Sequence, residues 1–309
     1  MVPLDFEEFC LGMGGGRQLA DLIRGSFEGL KPLPDALHKR ATRLWREYML
    51  VGGMPQEVVS YVEERDFAAV DYVKRGILSL YLDDMGKYGN GDASRVRSVF
   101  AQMPGQLAKH EKKFTLASFY SSARMRKYDS AFFWLEDATL VNVCRNSTDP
   151  NVGLGPHEDG GSLKCYQADT GLLVSQAFAD SAEMLGEVYR EIILDNLSIN
   201  EGMLVENAVA QQLKAHGRPM YFYSRYERGN SRDTMEIDFL IVRGYDNAAM
   251  KPRVSPVEVK STKRCGTSSR DKLRASFGKR LGTEYVLHPG QLQVEGDRVC
   301  LSLYASFCL

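Results

Sequence analysis

Two short alternating stretches constrain this chain most: Glu236-Ile-Asp-Phe-Leu-Ile and Val257-Glu-Val-Lys. A strand sends successive side chains to opposite faces, so Ile237, Phe239 and Ile241 share one face while Glu236 and Asp238 share the other. By the same rule Val257 and Val259 go one way, and Glu258 and Lys260 the other. If the two strands are neighbours, Asp238 and Glu258 converge on one point, and their oxygens suit a hard cation such as Mg2+ or Mn2+. Lys260 would reach the same spot, where an ammonium group can stabilise phosphorane charge or help deprotonate a metal-bound water. Glu206 lies one position off the apolar stripe Val205, Val209 and Leu213 of a helix expected over 202–215, where it could orient a water as an outer carboxylate. The alternative is an exposed sheet face carrying ordinary cross-strand Glu and Lys pairs. Glu-x-Lys alone is no discriminator, because Glu111-Lys112-Lys113 fits it equally. What separates the second instance is its strand context and the carboxylates that precede it.

The surrounding pattern supplies that context. Pro34, then Leu37, Ala41, Leu44, Tyr48 and Val51 at helical spacing, then Gly52-Gly53 and Pro55, predict a helix over 34–51. Further helices are expected at 56–64, 67–82 and 92–102, the last stopping before Pro104. Between Phe114 and Arg145 the order helix, turn, helix, strand is that of a winged helix. Phe133 and Trp134 in that stretch are expected in the core rather than stacked on bases. From Asn146 to Gly161 the composition turns to Asn, Ser, Asp, Pro and Gly, which predicts a loop and a domain boundary. The chain then divides into 1–33, 34–150 and 151–309. The last third reads as helix, then strands at 220–224, 236–242 and 256–261, a basic helix at 268–280, and strands at 284–288 and 298–304. That order makes an α/β or α+β core with flanking helices.

Charge bears on partners. The 309 residues carry 39 Lys and Arg against 40 Asp and Glu, so a nucleic-acid site has to be a local patch. From Asp92 to Asp129 there are eight basic residues, among them Lys112, Lys113, Arg124, Arg126 and Lys127, against three acidic ones. A second basic run includes Lys263, Arg270, Lys272 and Arg274 and suits a phosphate backbone. A solvated helical face is the plain alternative for both. Charged residues make up 26% and apolar ones 44%, which excludes a disordered tail or a fibre. No stretch approaches a bilayer span, and the first residues lack the features of a secretory signal. The six cysteines, at 10, 144, 165, 265, 300 and 308, show no metal spacing and read as reduced thiols of a cytoplasmic protein with no membrane partner.

Glu206, Asp238 and Glu258-x-Lys260, in that order, resemble the PD-(D/E)XK nuclease superfamily. More specifically the chain resembles the C-terminal part of bacterial and archaeal AAA+ ATPases carrying the domain of unknown function numbered 4143. The likeness rests on Tyr48-Met-Leu-Val-Gly-Gly-Met-Pro, Pro104-Gly-Gln-Leu, Lys164-Cys-Tyr, Asp169-Thr-Gly-Leu-Leu, Gly202-Met-Leu-Val-Glu-Asn-Ala-Val, Glu236-Ile-Asp-Phe and Val257-Glu-Val-Lys-Ser. Pro3-Leu-Asp-Phe-Glu-Glu-Phe is similar to the segment that closes the ATPase core. The resemblance implies a mixed α and β fold, with a helical and winged-helix N-terminal half followed by a restriction-endonuclease-like α/β domain. It also implies a candidate Mg2+-dependent nuclease in which Asp238 and Glu258 bind metal while Lys260 and Glu206 assist. The alternative is a non-catalytic DNA- or protein-binding module that regulates a separate AAA+ ATPase chain. Family members normally begin with a phosphate-binding loop, Gly-x-x-x-x-Gly-Lys-Ser/Thr. Gly12-Met-Gly-Gly-Gly-Arg does not match it, so no ATP site is expected, and the chain is expected to be a truncated or separately encoded C-terminal module.

Overall fold

A computed structural model of the chain describes residues 2–14, 16–87, 92–109, 112–114, 128–179, 185–193, 201–225, 234–243, 252–262 and 268–309. Helices dominate the first third: α1 (Phe6–Gly12), α2 (Gly16–Glu28), α3 (Asp35–Val51), α4 (Pro55–Glu64), α5 (Phe67–Lys87) and α6 (Ala93–Leu107). Helix α1 opens on a capping box in which Asp5 accepts from the Glu8 amide and Glu8 returns the bond to the Asp5 amide. Helix α3 ends where Gly52 takes φ of 96°, a conformation that favours glycine, and Pro55 then starts α4 at its first position.

Pro104 does not end its helix as expected. It sits inside α6, which continues to Leu107. The carbonyl that Pro104 leaves without an amide partner, four residues back at Phe100, is taken instead by Gln176 Nε2 at 2.8 Å. A long-range side chain thus removes part of the cost that would have stopped the helix.

Helix α7 (Asp129–Asp137) leads into β1 (Val141–Ser147). It buries Ala131, Phe132 and Leu135, so Phe133 falls on the opposite face and is 69% exposed, a correction to its expected place in the core. The first helix of the expected winged helix, over Phe114 to Tyr120, lies almost wholly outside the described residues.

Strand β1 pairs antiparallel with β2 (Glu158–Gln167), and a bulge interrupts the pairing between Arg145 and Asn146. After β2 come α8 (Thr170–Ala177), α9 (Leu185–Ile193) and α10 (Glu201–Ala215). The remaining elements are β3 (Tyr221–Arg225), β4 (Met235–Arg243), β5 (Arg253–Val259), α11 (Ser268–Phe277), β6 (Glu284–His288), β7 (Gln293–Glu295) and β8 (Arg298–Ser302). The strands form one mixed sheet in the order β2-β1-β3-β4-β5-β6-β8-β7.

That order bears on the expected boundary at 150/151. Asn146 and Ser147 belong to β1 and Glu158 to Gly161 to β2, so the turn-rich stretch is a hairpin connection and one sheet runs across it. Strand β1 then pairs in parallel with β3, which ties the hairpin to the strands of the C-terminal third.

The largest core joins α1–α3 and α10 to one face of the sheet through Phe6, Trp45, Tyr48, Val205, Phe239 and Leu301. Helix α10 is covered on all sides, with every residue from Met203 to Leu213 buried. Glu206, placed from its spacing beside the apolar stripe, is therefore buried as well, at 4% exposure. A charge there needs partners, because an unpaired buried carboxylate costs several kcal/mol, on the order of the stability of a whole domain. Among the described residues no helix is long and apolar enough to cross a membrane.

Candidate functional site: a carboxylate cluster closed by Lys164

The expected neighbours are neighbours. Strands β4 and β5 run antiparallel with Phe239 opposite Val257, and the next step of that register sets Asp238 against Glu258. Asp238 Oδ2 accepts a hydrogen bond from the Val259 amide at 2.9 Å. Lys260 Nζ lies 2.9 Å from a Glu258 carboxylate oxygen.

The centre of the cluster, however, is a residue the alternation did not point to. Lys164, on β2, is buried, and its ammonium nitrogen lies 2.8 Å from Glu236, 3.4 Å from Glu206 and 3.5 Å from Asp238. Its charge also sits 5.3 Å from the centre of the Phe222 ring, within cation–π reach. A second lysine closes the other side: Lys112 pairs with Glu206 and donates to the Gly202 carbonyl at 3.0 Å. The Tyr166 hydroxyl donates to Glu206 at 2.6 Å.

These contacts decide which groups are charged. Burial alone would raise the Glu206 carboxyl, but Lys164 and Lys112 overcome it and hold Glu206 well below the usual carboxylate range. Burial also opposes the charge on Lys164, yet Glu206, Asp238 and Glu236 outweigh it and keep the ammonium form. Asp238 goes the other way: burial and then the Glu206 charge push it up to about 6, with Lys164 opposing. Asp238 is thus the first of this pair of carboxylates to take a proton on acidification.

At the point shared by Glu206, Glu236 and Asp238, which is distinct from the expected Asp238–Glu258 point, a resident Mg2+ does not fit. Mg2+ demands a near-octahedral shell of oxygens with room for several waters, whereas the point shared by Glu206, Glu236 and Asp238 is already filled by the Lys164 ammonium. Among the described residues no group of three or more His, Cys, Asp or Glu side chains is set to hold a metal ion.

The basic residues expected to meet nucleic acid are mostly engaged where they are described. Lys112 points inward to Glu206 rather than outward, because the buried carboxylate needs it. Arg274 pairs with Glu284 and Asp297, and Lys272 donates to the Thr234 carbonyl at 2.9 Å. Lys113 is half-buried. Arg124, Arg126, Lys127 and Lys263, and the side chain of Arg270, lie outside the described residues.

Sequence reasoning missed Lys164 and Tyr166 as members of the cluster, and it placed Glu236 on the charged face without giving it a role. One signal was present: Lys164 and Tyr166 stand two apart, so in any strand there they share a face and burying the tyrosine takes the lysine with it.

A family profile described as a domain of unknown function, DUF8612, matches residues 42–183, and one described as DUF4143 matches residues 201–305. DUF4143 is commonly the C-terminal part of AAA-type ATPases. The likeness expected over nearly the whole chain is therefore carried for DUF4143 by the C-terminal third, while a different domain of unknown function covers much of the rest. Lys164 and Tyr166 fall in the first match, and Glu206, Asp238, Glu258 and Lys260 in the second, so the cluster is built across both. No curated protein and no solved structure matches.

Proposed function

We propose that this chain is a non-catalytic binding module in which a lysine has taken the place a metal ion would hold in a nuclease-like carboxylate site. The observation that carries the reading is the Lys164 ammonium buried among Glu206, Glu236 and Asp238. An ammonium group neutralises carboxylates but offers no open coordination position, so it can neither polarise a phosphodiester as a metal does nor generate a metal-bound hydroxide. The cluster then serves to lock α10 to β2 and β4. The partner class this reading names is an AAA-type ATPase, supported by the DUF4143 match.

The competing reading is metal-dependent phosphodiester cleavage, on DNA, in a restriction-endonuclease-like domain. The opposition of Asp238 and Glu258 with Lys260 beside them favours it. Incubating the protein with supercoiled plasmid, linear duplex and single-stranded DNA in Mg2+ or Mn2+ separates the two. No cleavage above that of an Asp238→Ala control is expected. Cleavage that disappears both in Asp238→Ala and in EDTA would overturn the non-catalytic reading.

A further inference from the structure

Away from the carboxylate cluster, a cavity of about 420 Å3 opens between the C-terminal end of α2 and the ends of β4, β5, β6 and β8. Arg243 lies five residues along β4 from Asp238, roughly 17 Å at the rise of a strand. This volume falls in the range of small-molecule sites.

The wall is unusual in its charge. Arg243 and Arg253 both line it, and they are direct partners in the antiparallel β4–β5 register. Like charges set directly opposite each other on adjacent strands repel, and a sheet normally avoids the pairing. Arg243 donates to the Tyr285 hydroxyl at 2.9 Å and lies 4.9 Å from the centre of the Phe27 ring. Among the described residues Arg253 reaches the Leu281 carbonyl, at 3.5 Å. Among the described residues neither arginine forms an ion pair with a carboxylate. Arg24, a third basic residue on the wall, is held by Glu7, and the Glu28 carboxylate on the α2 side pairs with neither Arg243 nor Arg253. The Ser255 and Thr283 hydroxyls complete a polar end, and Phe27, Leu30 and Val299 an apolar one.

We propose that this cavity binds a small phosphate monoester with an apolar body, its phosphate between Arg243 and Arg253. A guanidinium fork matches phosphate oxygens in pairs, and a dianion placed there turns the cross-strand repulsion into two charge-assisted contacts. A bare phosphate is only a few waters in size and leaves the apolar end of the cavity unfilled, so the ligand carries an organic part against Phe27 and Leu30.

The test is calorimetric titration of the full chain at low salt with phenyl phosphate, inorganic phosphate and phenol as probes. Phenyl phosphate is expected to bind saturably, inorganic phosphate at least tenfold more weakly, and phenol not at all. Arg253→Gln should weaken phenyl phosphate by about 10- to 100-fold, as expected for loss of a charge-assisted contact. The same substitution should raise the Tm of the ligand-free protein by about 1–2 °C, because it removes the like-charged pair. Thr283→Ala, at a wall position without a charge, should weaken binding less. Absence of saturable binding by phenyl phosphate, or binding unchanged in both Arg253→Gln and Thr283→Ala, would overturn the proposal. A fall in Tm on Arg253→Gln would equally contradict it.

Discussion

Replacing Lys164 by Met is expected to cost about 3–5 kcal/mol of folding stability, the usual penalty for removing one side of a buried ion pair. The loss arises because, among the described residues, Glu206, Glu236 and Asp238 would be left with Lys112 as the cation paired with them, and Lys112 reaches Glu206. Urea unfolding at pH 7 followed by circular dichroism measures it. Adding Glu206→Gln to Lys164→Met should restore part of the loss, since two carboxylates then need a cation rather than three. A loss below about 1 kcal/mol would mean that the lysine is solvated and pairs with nothing of consequence.

The pH profile follows from the same contacts. Asp238 has a folded pKa of about 6, above its ordinary 3.8, so its contribution is fully present below about pH 4 and is lost as pH rises through 6. Glu206 is depressed below its ordinary 4.5, so its contribution is present above that value and is lost as pH falls below it. The wild-type cluster is thus expected to be most stabilising near pH 4, between about 3.8 and 4.5, and to weaken as the pH rises towards 6. In Lys164→Met the carboxylates lose the cation that held them ionised, so the fall in the cluster's contribution below about pH 4 should diminish and the contribution should keep rising as the pH is lowered through 4.

Asp169→Ala is expected to cost a similar amount, about 3–5 kcal/mol, from the loss of a helix cap together with buried amides left without acceptors. Asp169 is fully buried and caps α8 by accepting from the Leu172 amide at 2.9 Å. Its other oxygen accepts from the Gly53 amide at 2.6 Å and from Gln211 at 3.3 Å. Asp169-Thr-Gly thereby clasps the Gly52-Gly53 turn, and Gly171 packs so closely that a Cβ there would lie 2.3 Å from the Val51 carbonyl oxygen. Glu57 packs into the same buried corner, where burial and then the Asp169 charge push its carboxyl well above the usual range. Asp169→Asn keeps one acceptor oxygen and should cost less than Asp169→Ala. Equal losses in the two variants would place the effect in packing rather than in the hydrogen bonds.

Much of this could be read from local sequence. The alternation in Glu236-Ile-Asp-Phe and Val257-Glu-Val-Lys put Asp238 and Glu258 each on the face opposite the apolar residues of its strand, because a period of two leaves a strand little choice of face. Gly52-Gly53 and Pro55 marked the junction of α3 and α4 for equally local reasons. The contact of Asp169-Thr-Gly with the Gly52-Gly53 turn was not legible, since 116 residues separate Asp169 from Gly53.

Strand β2 was hidden by its own composition. Its first half, Glu158 to Gly161, is exposed and glycine-rich, and only its second half is buried, so no alternation marks it. Lys164 was hidden for another reason. Lysine is almost never fully buried, and the carboxylates that make burial tolerable here come from α10 and β4, 42 to 74 residues further along. Lys112 looked like part of a basic face for the same reason, because its partner Glu206 lies 94 residues away. Charge counted along the chain could not show that these lysines are spent on internal carboxylates.

On the proposed function, Lys164 excludes a metal from a carboxylate cluster that could otherwise hold one. Calorimetric titration of Mg2+ and Mn2+ into the wild-type protein and into Lys164→Met at pH 7 tests it directly, with the Lys164→Met, Asp238→Ala double variant as the control for nonspecific binding. No saturable binding to the wild type is expected, whereas binding to Lys164→Met should raise its Tm and vanish in the double variant. Saturable Mg2+ or Mn2+ binding to the wild-type protein, lost on Asp238→Ala, would contradict it.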